Sequence, residues 1–295
     1  MQIVMKDYEI FADVSIDIDK EFADKNGLKY VPMEYVLGED TFSCTEPESD
    51  EMMHNYYEKL RGKVETHTSQ IVPYNYICLF EPYVKEGKDI LYISLSSGLS
   101  NTYESALMAA RELKEDYPDS NVLVVDSLAA TGGMGLLTEI AFKHKQAGMD
   151  INENADKLTE YAKRISYWFK VEDLMYLMRG GRVSATTAIL GTALNIKPLL
   201  TVNDKGKLET IDKKRGNKQA MKAMIERFEK NFDPDFYPVV YICCSDCVEE
   251  AEKLKGMVLE KQPGAEVKIT MLSPIIGAHT GPDMIALIYF NKGNV

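Results

Sequence analysis

Apolar positions in the first half of the chain fall alternately into strand-like runs and one-sided helical repeats. Residues 8–14 and 28–37 read as strands, 20–26 and 50–61 as helices. Two short β-branched runs, 90–95 and 122–125, are each followed by a helical stretch, the sign of parallel strands joined by crossovers. After the first of them, Tyr103, Ala106, Leu107, Ala110 and Leu113 recur on one face, while Arg111, Glu112, Lys114 and Glu115 point away. Tyr117-Pro118-Asp119 ends that helix, because proline cannot continue the hydrogen-bond ladder.

Gly132-Gly133-Met134-Gly135 opens a further helix that fades near Gly148, which places a domain boundary close to residue 150. Beyond it, Leu158, Tyr161, Ala162 and Ile165 share a helix face, and residues 175–182 read as an apolar helix ending in a glycine pair flanked by Arg179 and Arg182. Strands are expected near 196–202, 207–212, 238–243, 267–272 and 284–290, with helices near 216–230 and 247–261. Asn203-Asp204-Lys205-Gly206 is a hairpin turn. The fold class that follows is α/β: an N-terminal domain (1–152) with a mostly parallel sheet, and a C-terminal domain (153–295) with a smaller mixed layer.

A chain of 295 residues with 45% hydrophobic content can fill the cores of two such domains. Its net charge of -12 argues against nucleic acid or an anionic lipid surface as the main partner. Residues 1–9 lack a basic stretch followed by an apolar one, and no run of about 18 apolar residues occurs, so a cytoplasmic protein without stable membrane insertion is expected. Five irregularly placed cysteines fit reduced thiols.

The chemistry concentrates in turns. Ser94-Leu95-Ser96-Ser97-Gly98-Leu99-Ser100-Asn101-Thr102 runs from a strand into a helix, and its hydroxyls, free N–H groups and helix dipole are suited to an anion. With no lysine or arginine in the turn, a single carboxylate fits better than a triphosphate. A second hydroxyl cluster, Thr66-His67-Thr68-Ser69-Gln70, reads by itself as a helix N-cap. It gains meaning if both loops meet beyond the carboxyl ends of parallel strands. His279, between Gly277 and Gly281, reads either as an exposed structural histidine or as a donor to an acidic ligand. Arg179, Arg182, Lys197 and Arg215 form a positive field if they cluster.

Other chemistries are less well supported. Cys244-Ser245-Asp246-Cys247 is a C-x-x-C at a strand-to-helix junction, but without the usual tryptophan and proline of redox dithiols. The four histidines have no zinc-ligand spacing. Neither G-x-S-x-G nor G-x-G-x-x-G occurs. A serine-dependent hydrolase or acyltransferase using Ser96 or Ser97 with His279 stands as the alternative to a binding protein.

The ordered motifs resemble the DegV family of bacterial fatty-acid-binding proteins. They are Thr68-Ser69-Gln70, Ile93 through Tyr103, Val125-Asp126-Ser127, Gly180-Gly181-Arg182-Val183-Ser184, Asn195-Ile196-Lys197-Pro198, Arg215-Gly216 and His279-Thr280-Gly281-Pro282, spanning nearly the whole chain. The sequence departs from the family pattern at Asp13-Val14-Ser15-Ile16-Asp17, at Ile71 and at Asp283, the last an acid where a kinase partner would dock. It also departs at the cysteines 243–247, where relatives commonly carry a histidine and an aspartate.

The resemblance implies two α/β domains enclosing one long-chain fatty acid such as palmitate or oleate, with no cofactor and no catalytic residue. The carboxylate is expected on Thr68 and Ser97, with Ser69, Ser96, Gly98 and His279 nearby. A separate fatty-acid kinase is the implied partner, with Arg182, Arg215 and His279 as kinase or phosphate contacts. About fourteen buried methylenes at roughly 0.8 kcal/mol each dominate such an affinity, and each hydroxyl contact adds on the order of 1.5–3 kcal/mol of orientation.

Overall fold

A computed structural model of the chain describes residues 7–185 and 195–293; residues 1–6, the start of the stretch read above for a leader, lie outside it. The N-terminal sheet contains β1 (Tyr8–Asp13), β2 (Lys29–Val31), β6 (Asp89–Ser94) and β7 (Val122–Asp126), all parallel in the order β2-β1-β6-β7. A small antiparallel sheet stands beside it, in the order β4-β3-β5, formed by β3 (Met33–Leu37), β4 (Asp40–Cys44) and β5 (Thr66–Thr68). The run 28–37 is therefore two strands in two sheets. Pro32 divides them, since it has no N–H to give a ladder.

The C-terminal sheet is mixed, in the order β10-β9-β8-β13-β11-β12. It comprises β8 (Ile165–Lys170), β9 (Ile196–Val202), β10 (Leu208–Arg215), β11 (Val239–Cys244), β12 (Glu266–Met271) and β13 (Ile285–Phe290). Only β11 and β12 pair in parallel. With six strands against four, it is wider than the first sheet and not the smaller layer expected, because three strands of the N-terminal half form a sheet of their own. Both of its faces are covered. Val240, Ile242, Cys244, Ile285, Leu287 and Tyr289 enter one core, and the alternate Val239, Tyr241, Cys243, Ala286, Ile288 and Phe290 enter the other.

The helices are α1 (Lys20–Asn26), α2 (Asp50–Arg61), α3 (Pro73–Lys85), α4 (Thr102–Asp116), α5 (Gly132–Gln146), α6 (Ile151–Ala162), α7 (Leu174–Arg179), α8 (Asn217–Asn231), α9 (Val248–Lys261) and α10 (Pro274–Thr280). Helix α5 lies between the sheets, packing on β1, β6, β11 and β13, and every residue from Gly132 to Phe142 is buried. Its glycines permit that approach. A β-carbon on Gly132 would stand 2.6 Å from the Tyr241 side chain, and one on Gly133 would overlap the Tyr167 hydroxyl. Helix α6 contains the expected domain division at residue 152, and it packs on β7 and β6 of the first sheet.

Candidate functional site

The Ser96-Ser97-Gly98 turn is held from below by two aspartates. Asp13, at the end of β1, accepts the Tyr92 hydroxyl and, at 2.5 Å, the Leu95 N–H; burial pushes its carboxyl up to about 6. Asp126, at the end of β7, accepts the Ser97 N–H at 3.1 Å and the Leu128 N–H at 3.0 Å. The turn's other amides are also engaged. Gly98 N–H donates to Ser96 Oγ at 3.1 Å, and the N–H groups of Leu99 and Ser100 donate to Ser96 O at 3.0 and 3.1 Å. The N–H groups of residues 95–100 and of Thr102, part of those expected to cradle an anion, are thus used internally, and the carboxylates this backbone holds are Asp13 and Asp126.

Ser96 also departs from its expected place. Fully buried, its hydroxyl donates to Gly206 O at 2.8 Å, tying the turn to the tip of the β9–β10 hairpin. Gly98 is required by the same junction, where a β-carbon would stand 2.5 Å from backbone atoms of Lys205 and Gly206. Ser97 remains exposed, and among the described residues its hydroxyl has no partner.

The Thr68 cluster is not a helix cap. Thr68 ends strand β5, and α3 begins at Pro73 without a side-chain cap. Thr68 Oγ1 lies 2.8 Å from Nε2 of His279, which sits on α10 rather than in a mobile loop. The histidine is not the exposed ring that its glycine neighbours suggest. Burial first, then the Arg182 charge, push its pKa down to about 3, so it is neutral at pH 7. Its Nδ1 is buried without a partner, against Gly180, where a β-carbon would come within 2.2 Å. An orphaned N–H costs more than an unused lone pair, so the proton is assigned to Nε2, which donates to Thr68. That leaves the threonine's own hydroxyl hydrogen free for a ligand. His279 positions Thr68.

Thr68, Ser69, Ser97, Gly98 and His279 line one cavity of about 470 Å³, within the range of pockets that enclose a small organic ligand. The exposed Ser69 and Ser97 mark its rim, and Gln70, also on the rim, donates to Ser105 Oγ at 3.0 Å. Its interior is apolar and buried: Met33 and Leu95 from the N-terminal half meet Tyr167, Phe169, Leu177, Ile275 and Ala286 from the C-terminal half. Ile71 is buried in the core and outside this lining.

Of the four cations named above, only Arg182 is among the residues lining the cavity. Arg182 lines the cavity, with Nε donating to Leu99 O at 2.9 Å. Arg179 stacks on Tyr176 at 4.6 Å, and Lys197 pairs with Glu172. Arg215 is exposed at the far end of β10, seven residues and about 23 Å of extended strand beyond Leu208, and is not among the residues that line the cavity. The cation the sequence reading missed is Lys207, which lines the cavity beside the hairpin tip. Asp283, expected to face a partner, binds Arg61 at 2.6 Å. Donor atoms of His54, Glu58 and Asp246 lie within 4.8 Å of one another, but Arg61 already supplies positive charge to Glu58 and Asp246 at 2.8 and 2.5 Å.

A family model described as an uncharacterised protein of the DegV family matches residues 7–292. The chain belongs to the DegV family. It is 36% identical to a DegV domain-containing protein of Clostridium perfringens, over 97% of this chain and 98% of the relative. A DegV family protein from Thermus thermophilus, whose structure is described as fatty-acid binding, superposes with TM-score 0.84 at 25% identity, covering 97% and 100% of the two chains. The Streptococcus pneumoniae Fatty Acid Kinase (Fak) B3 protein, loaded with linoleic acid, shares the fold with TM-score 0.82 at 22% identity, over 96% and 99%. Structural neighbours of this DegV protein thus bind fatty acids. No helix among its described residues is long and apolar enough to cross a membrane.

Proposed function

We propose that this DegV protein binds one long-chain fatty acid in the cavity between its halves and presents the carboxylate to a separate fatty-acid kinase, which converts it to an acyl phosphate. The observation that carries the reading is the gradient within one cavity: exposed hydroxyls and the Thr68–His279 pair at the rim, buried aliphatic and aromatic side chains inside. The tail gains its affinity by leaving water, and the charged head stays at the rim, where ionisation costs little. Thr68 and Ser97 are the proposed carboxylate donors, with Ser69 beside them. Arg182 and Lys207 supply the positive field in which a phosphorylated head group would stand.

The hydrolase alternative lacks the pairing it needs, because His279 is hydrogen-bonded to Thr68 and Ser96 to Gly206. These bonds support the reading in which the partner carries out the reaction and the chain acts as carrier. Mass spectrometry of an extract from denatured protein is expected to release a long-chain acid in equimolar amount. A protein that yields none and takes up neither palmitate nor oleate would refute the binding reading. Fluorophosphonate labelling of Ser97 would restore the enzyme.

A further inference from the structure

The C-x-x-C segment lies outside the acyl cavity but is bonded to its wall. Strand β11 ends at Cys244, Asp246 turns the chain at φ 56°, and Cys247 is the N-cap of α9. The Ser245 N–H and the Cys247 thiol both reach Met284 O, at 2.9 and 3.2 Å, and the Asp283 N–H returns to Ser245 O at 2.8 Å. Met284 lines the cavity. Cys244 and Cys247 face the same core, whereas Cys243 faces the other, where Thr270 donates to its sulfur at 3.3 Å.

The Cys247 thiol, whose one hydrogen goes either to Met284 O or to the Cys244 sulfur, and the Cys247 N–H hold the Cys244 thiol below its ordinary range, while the same pairing and burial push the Cys247 thiol up. The first turn of α9 favours negative charge there as well. Cys247 is half-buried and lines a polar cleft with Asp246 and Val248, whereas Cys244 is buried.

We propose that Cys244 and Cys247 are a peroxide-sensitive dithiol whose closure to a disulfide loosens the Met284 wall of the acyl cavity, the second part resting on the fatty-acid reading above. The Cys244 thiolate attacks one oxygen of hydrogen peroxide, breaking the O–O bond. This gives a sulfenic acid and hydroxide, which takes up the thiol's proton as water. The Cys247 sulfur then attacks the sulfenic sulfur, and the hydroxyl leaves with the Cys247 proton as a second water. Two thiols are oxidised, one peroxide is reduced, and Met284 O loses the S–H donor.

The test uses the full chain carrying Cys78→Ser, which removes the exposed thiol. After hydrogen peroxide treatment, denaturation and alkylation with iodoacetamide, mass spectrometry should show the loss of two hydrogens and of two alkylation sites within the peptide holding Cys244 and Cys247. Dithiothreitol should reverse this, and Cys247→Ser should abolish it. The Kd for parinaric acid should rise about fivefold on oxidation and recover on reduction. Two cysteines that stay alkylatable, or a Cys247 sulfinic acid without a disulfide, would overturn the dithiol, and a disulfide with unchanged Kd would overturn its coupling to the cavity. Reduced protein that takes up no parinaric acid would defeat the fatty-acid reading and the coupling with it, while the mass measurement still decides the dithiol.

Discussion

Thr68→Val is the substitution that tests the site most directly, because valine keeps the threonine's shape and removes only the hydroxyl. Two bonds are lost: the one accepted from His279 Nε2, 2.8 Å away, and the one the freed hydroxyl hydrogen would give to a carboxylate. A hydrogen bond to a charged group contributes about 1.5–3 kcal/mol, so the Kd for palmitate should rise about 10- to 100-fold. The fold should persist at a cost of about 1–3 kcal/mol, since the buried His279 is left with an unpaired N–H. Isothermal titration of delipidated protein gives the affinity, and denaturant melts give the stability. Because His279 titrates near 3 in the folded chain, wild-type affinity should show no inflection as pH falls through 6.5. A Kd changed less than twofold, or a step near pH 6.5, would refute the assignment of a neutral histidine holding a donor threonine.

Gly98→Ala should lower stability by about 1–3 kcal/mol and weaken ligand binding, because a methyl group 2.5 Å from the Gly206 backbone forces the hairpin off the turn; an unchanged melting temperature would show that the contact yields freely. Burial pushes the Asp17 carboxyl up to about 8, with Oδ1 accepting the Ser273 N–H at 2.7 Å. An acid whose folded pKa is raised contributes stability that is present below about 3.8 and is lost as pH rises toward 8. Asp17→Asn should therefore stabilise the chain more at pH 8 than at pH 5 in paired denaturant melts, and equal changes would contradict the protonated aspartate. Arg182→Ala should weaken fatty-acid binding measurably, while Arg215→Ala should leave Kd within about twofold of wild type, since Arg182 lines the cavity and Arg215 stands far along β10. Equal effects in titrations of the two variants would place the positive field elsewhere.

Local pattern carried most of the element assignments, and it failed where packing overruled it. The strand runs near 90–95, 122–125 and 238–243 were legible because β-branched residues crowd there. Pro32 announced a break in the 28–37 run that alternation alone concealed. The glycines of α5 were visible as a motif, but their purpose was not. Only the approach of Tyr241 and Tyr167 from strands more than thirty residues downstream explains why no side chain fits there. A helix buried all round, from Gly132 to Phe142, is itself the signal that it lies between two sheets.

The site was legible as a kind of chemistry but not as a direction. Ser96 and Ser97 carry the same hydroxyl on adjacent residues of one turn, yet their surroundings hold them differently. One is buried and bonded to the Gly206 carbonyl, the other exposed at the cavity rim. Which serine does which depends on where a hairpin 110 residues later closes. The same holds for Thr68 and His279, 211 positions apart, whose pairing turns a plausible helix cap into an oriented donor. Composition of a loop therefore states which ligand class it can serve, whereas the number of its donors still free for that ligand is decided by distant backbone carbonyls competing for them. In this chain the competition removed the turn's amides and Ser96, leaving Thr68 and Ser97 as the pair on which binding should depend.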